Sequence, residues 1–121
     1  MKAVGPYHRA MAYDEDLAAR IRLVLADEPD VIEKKMFGGL GFLVGGNMAV
    51  AASGQGGALV RVDPEASDHL VDGTGAQWAV MRGRPMSGWL QVPAEVLTTR
   101  EQVKRWVDVG ASYARSLPPK G

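Results

Sequence analysis

Three arginines carry the most chemical promise in this sequence of 121 residues. Arg61 sits within the aliphatic run Ala58, Leu59, Val60 and Val62, and Arg82 and Arg84 bracket Gly83. A guanidinium presents its donors in a planar fork that matches a phosphate or carboxylate. The three therefore read as contacts for a small anion or a partner carboxylate, or as snorkelling and ion-paired surface residues. Lys35 and Trp89 join them as candidate contacts, the tryptophan as an interface anchor. These five residues are expected to touch a partner or an anion; no catalytic, cofactor-binding or metal-binding residue is assigned.

Other groupings fall short of a site. Gly41 and Gly46 have the glycine spacing of a phosphate loop, but Asn47 and Met48 follow where lysine and serine or threonine are needed. Val44 stands where a dinucleotide fingerprint requires its third glycine. His8 and His69 are the only histidines, too far apart to form a ligand pair at metal-binding spacing. Serines lack a nucleophile-elbow context, and the carboxylates gather at helix starts, where the helix dipole accounts for them. Arg100, Lys104 and Arg105 are interrupted by Glu101 and Asp108, the pattern of a solvated helix face.

These residues must be positioned by a small domain. Asp14 as N-cap, followed by Leu17, Ile21, Val24 and Leu25, predicts a helix from Glu15 to Ala26, stopped by Pro29. Strands are predicted over Val31 to Phe37, Leu40 to Val44, Met48 to Ala52 and Ala58 to Val62. Asp63 and Pro64 predict the start of a short helix that Gly73 ends. Two further strands, Gln77 to Met81 and Gly88 to Val92, flank a connection over 82–87. Thr99 and Gln102 form a capping-box pattern for a last helix, with Val103, Trp106, Val107, Gly110 and Ala114 on one face. The order α-β-β-β-β-α-β-β-α predicts an α+β fold, two-layered, with a mostly antiparallel sheet.

The hairpin around Gly45 and Gly46 admits two registers. A three-residue loop opposes Val44 to Met48 and Phe42 to Val50, on one face. A two-residue turn opposes Val44 to Asn47 and Phe42 to Ala49, sending the bulky residues of the two strands to opposite faces and leaving one set for a partner.

Composition narrows the function classes. The chain has 14 basic and 14 acidic residues and no cysteine. Neutral charge argues against direct nucleic-acid binding, and the lack of cysteine removes disulfides and thiol chemistry. The opening residues have no signal-peptide core and no apolar stretch is long enough for a membrane helix, so a cytoplasmic location without membrane contact is expected. Residues 1–10 read as a flexible leader before a domain over 11–121.

Five segments in order, MAYDEDLAARIR from Met11, EKKMFGGLGFLVGGNMAV from Glu33, LVRVDPE from Leu59, GRPMSGW from Gly83 and ARSLPPK from Ala114, resemble the N-terminal domain of the TfoX/Sxy family. The resemblance implies a small α+β fold without enzymatic activity or cofactor. It also implies a role in competence and transcription regulation, where larger members act with the cAMP receptor protein and carry a second, helical domain. The sequence ends without such a domain, so a stand-alone single-domain member is expected. The leading expectation is a regulatory protein-interaction module whose protein partner belongs to the transcription machinery, with a homodimer through a sheet edge or face as a further expectation. The alternative is a small-anion or nucleotide-binding enzyme using Arg61, Arg82 and Arg84.

Overall fold

The computed structural model describes residues 13–36 and 38–120. The leader over 1–10, with His8, and the positions Met11 and Phe37 lie outside the described residues. Helix α1 spans Glu15–Val24; the Asp14 carboxylate accepts the Leu17 amide at 3.0 Å, and Leu17, Ala18 and Ile21 are its buried stripe. It ends two residues before the predicted Ala26, because the Ala26 amide turns back to the Leu23 carbonyl and Pro29 follows.

Strands β1 (Val31–Met36), β2 (Gly39–Val44), β3 (Asn47–Ala52) and β4 (Ala58–Arg61) form a meander. Helix α2 covers Ser67–Val71 only. Its predicted start at Asp63 and Pro64 is corrected: the Asp63 side chain accepts the Glu65 amide, and its carbonyl accepts the Ala66 amide, so this segment closes a turn first. Gly73 follows the helix at φ 72°, as predicted. Strands β5 (Gln77–Met81) and β6 (Arg84–Val92) then pair. The predicted long connection over 82–87 is also corrected. Arg82 and Gly83, at φ 54° and 77°, reverse the chain on their own, and residues 84–87 extend β6. A 3-10 turn at Ala94–Val96 leads into helix α3, Arg100–Ser116, which opens on the Thr99 and Gln102 capping box.

The six strands form one sheet in the order β1-β2-β3-β4-β6-β5, every pair antiparallel. The α+β reading and the element order hold. Phe42, Val50, Val60, Leu90 and Val92 project from the sheet into a core completed by Ile21 of α1 and by Val103, Trp106 and Val107 of α3. Leu70 and Val71 of α2 pack at the margin of this same core, so the helices share one side of the sheet.

Both predicted registers of the β2–β3 hairpin hold in part. Gly45 and Gly46, at φ 60° and 84°, make a two-residue turn that sets Val44 opposite Asn47. The register then shifts so that Leu43 faces Met48 and Phe42 faces Val50, leaving Ala49 as the extra residue of a β-bulge. The bulge returns Phe42, Val44 and Val50 to the core side while Leu43 and Met48 point the other way. After α3 the chain is strapped over this turn: the Lys120 amide donates to the Gly45 carbonyl at 2.8 Å, and buried Asn47 donates its Nδ2 to the Pro118 carbonyl at 3.0 Å.

Candidate functional site

A sheet with helices on one side leaves its other face without a covering layer among the described residues. Strand alternation decides what stands there. On β1 the exposed Ile32 and Lys34 and half-buried Met36 share a side, since Val31 packs on the core and Glu33 reaches α1. They continue across β2 as Gly39, Gly41 and Leu43, across β3 as Met48 and Ala51, and across β4 as Leu59 and Arg61. On β6 the matching residues are Trp89 and Gln91; beyond the register shift in the β5–β6 pair Met86 lines the same hollow as Trp89, and Arg84 stands two residues before Met86. This uncovered face has an apolar middle, and Ile32 there is 60% exposed.

Its centre is a hollow of about 100 Å³ with Met36, Met48, Leu59, Met86 and Trp89 as walls. Small residues make the floor. A Cβ on Gly41 would come 2.7 Å from Met48 Cε and 3.3 Å from Met36 Sδ, so the glycine gives the two thioethers the space they occupy. Methionine is unbranched and polarizable, which suits a surface that must mould itself to an apolar guest. Beside the hollow lies a more polar one of about 240 Å³, shared by Ser53, Gln55, Gln77, Trp78 and Gln91. Gln91 donates its Nε2 to the Gly56 carbonyl at 2.9 Å. Trp78 remains 38% exposed and Val80 60% exposed on the edge strand β5.

The five sequence-assigned residues do not form one cluster. Arg61 lies opposite Trp89 in the β4–β6 pair, its guanidinium carbon 5.5 Å from the Trp89 ring and 5.6 Å from the Tyr113 ring of α3. Those distances are within cation–π range. Arg84 stands five residues from Trp89 along β6, on the order of 15 Å at about 3.3 Å per residue, while the Arg61 guanidinium is turned to the aromatic rings, so the two do not converge in this structure. Arg82 occupies the β5–β6 turn. Lys35 shares the side of Glu33, facing α1, and so is off the uncovered face; its neighbour Lys34 is on it. That residue, with Leu59, was missed, although the alternation of Ile32, Lys34 and Met36 in VIEKKM carries the signal.

Cations outnumber acids in the strands. Glu33 is the only acid in the six strands, against Lys34, Lys35, Arg61 and Arg84. Arg22 of α1 donates to both Glu33 oxygens, at 2.5 and 2.8 Å, and draws this carboxylate to the helix side. These hydrogen bonds, with the Arg22 charge behind them, hold the Glu33 carboxyl below the usual carboxylate range and raise Arg22 in turn. Arg20 with Asp16, Lys104 with Asp108 and Arg115 with Glu28 are likewise pairs of the helical layer.

The more voluminous concavity, about 570 Å³, lies between α1 and α3, lined by Arg20, Leu23, Val24, Arg100, Val103 and Lys104. Two of its three cations are already spent on Asp16 and Asp108. No three of His, Cys, Asp and Glu come together as a metal site among the described residues, and no helix there is long and apolar enough to cross a membrane.

The TfoX N-terminal domain family matches residues 24–114 of this chain. No curated protein and no solved structure matches it.

Proposed function

Because the chain belongs to the TfoX N-terminal domain family, we propose that it is a non-enzymatic protein-interaction module, a cytoplasmic regulator of the competence and transcription type that docks a protein partner on its uncovered sheet face. The observation that carries this reading is the methionine-walled apolar surface of Met36, Met48, Leu59, Met86 and Trp89. Six strands about 4.8 Å apart, with about 3.3 Å per residue along each, give a face on the order of 500 Å². Contiguous apolar patches on a soluble monomer mark interaction sites, and the apolar residues here form the middle of that face. The dispersed arginines favour this reading over the small-anion enzyme.

Pairing through a sheet edge fits less well. The edge strand β1 carries Glu33, Lys34 and Lys35, and the edge strand β5 is interrupted by a bulge between Trp78 and Val80. Charges and bulges of this kind discourage strand-to-strand addition. The face is thus the docking surface, not an edge.

Affinity capture from native cytosol at moderate salt tests the proposal, with RNA polymerase and its activators monitored and Leu59→Glu as the matched control. Specific recovery of a regulatory protein by the wild type and its loss in the folded variant is the expected result. Equal recovery by both would overturn the assignment of the face.

A further inference from the structure

We infer that the uncovered face receives an amphipathic helix of a partner protein whose apolar stripe is flanked by acidic residues. The inference rests on the docking-face reading and adds the chemistry of the occupant. Charge is its first support. Besides Arg61, which is set against the Trp89 ring, the face carries Lys34 near one edge and Arg84 near the other, and no strand residue on it is acidic. Neither cation makes an ion pair or a side-chain hydrogen bond among the described residues, whereas the four ion pairs there all involve a residue of α1 or α3. Two unpaired cations flanking a methionine floor complement a guest that is apolar in the middle and negative at its margins.

Charge also speaks against two other occupants. A second copy of the face would bring Lys34 and Arg84 against an equally cationic surface. Residues 1–12 of this chain hold Lys2 and Arg9 and no acid. The acidic helix is therefore assigned to a partner protein.

The geometry favours a helix over a strand. Both sheet edges resist strand addition, so the surface left to cover is a face, and a sheet face is covered by a layer. On the opposite side α3 already does this, lying across β3 and β4 with Gly110 against Ala49. The hollow walled by Met36, Met48, Leu59, Met86 and Trp89 is where side chains recurring every three to four residues on a guest helix can seat.

Three synthetic helical peptides test this, with one common leucine and methionine stripe and with glutamate, glutamine or lysine flanks. Binding to the full chain is read by anisotropy of a labelled peptide at low and at moderate salt. The glutamate peptide is expected to bind at least tenfold more tightly than the lysine peptide, with an advantage that shrinks as salt rises. The double variant Lys34→Glu and Arg84→Glu, both positions exposed, is expected to reverse that order while its melting temperature stays close to wild type.

No measurable binding of any peptide up to millimolar concentration, or binding indifferent to flank charge, would overturn the inference. So would a wild-type homodimer that Leu59→Glu dissolves, since the occupant would then be a second copy. Failure of the charge preference alone, with capture from cytosol still dependent on Leu59, removes the acidic helix and keeps the docking face. Loss of both removes the face as well.

Discussion

Gly110 of α3 rests on the carbonyl of Ala49, the bulged residue of β3, with no room between them for a methyl group. The β-bulge that rescues the hairpin register is thereby also the seat of the longest helix. An alanine inside a helix normally gains about 1 kcal/mol over glycine. Here the added Cβ must push the helix off the sheet backbone, which cannot move aside as a flexible side chain does. Gly110→Ala is expected to destabilise by about 1–3 kcal/mol, the range of overpacked cores, as measured by urea unfolding. A variant at least as stable as wild type would show that α3 has slack over β3.

The C-terminal strap makes a second prediction. Asn47 is 3% exposed, and its amide holds the Pro118 carbonyl. Asn47→Ala removes that donor and is expected to cost about 1–2 kcal/mol. Hydrogen exchange at the Lys120 amide, which donates to Gly45, should accelerate in the variant. Unchanged exchange there would mean that the strap holds without Asn47.

Acid should weaken the link between α1 and β1. The Glu33 carboxyl is held low mainly by the hydrogen bonds from Arg22, so its contribution is full above the unfolded carboxylate value near about 4.3. It is lost as pH falls through the lowered folded value. The stability difference between wild type and Glu33→Gln is therefore expected to be constant near neutrality and to close in acid, with urea titrations at several pH values as the measurement. Both side chains are partly exposed, 53% for Arg22 and 35% for Glu33, so the effect is modest.

Anion binding separates the two readings of the arginines. With Arg61 set against aromatic rings and Arg84 about five strand positions away, inorganic phosphate and nucleoside triphosphates are expected to leave the melting temperature unchanged. A ligand at a hundred times its dissociation constant would stabilise by about 2.7 kcal/mol. A thermal shift of that size, abolished by Arg61→Gln, would restore the small-anion enzyme.

The elements were legible because their signals are local. The caps at Asp14 and at Thr99 with Gln102, the glycine pair at 45–46 and the apolar spacing of α3 each act within one turn of chain. The bulge at Ala49 was not legible: it depends on two conflicting demands, a tight turn at the tip and Phe42 beside Val50 in the core, which only the assembled sheet reconciles. The same holds for the site. Arg61, Arg82 and Arg84 attract notice as residue types, but what they do depends on strand position, which separates them. Lys34 and Lys35 are neighbours in sequence and lie on opposite faces.

Four cations and one acid lie in the strands and six cations and five acids in helices α1 to α3, so the rest of the chain, with four cations and eight acids, carries the negative charge that brings the protein to zero. An acidic partner arriving by diffusion would meet local positive charge at Lys34 and Arg84 on a molecule of zero net charge, so that association slows with added salt as it would for a charged protein.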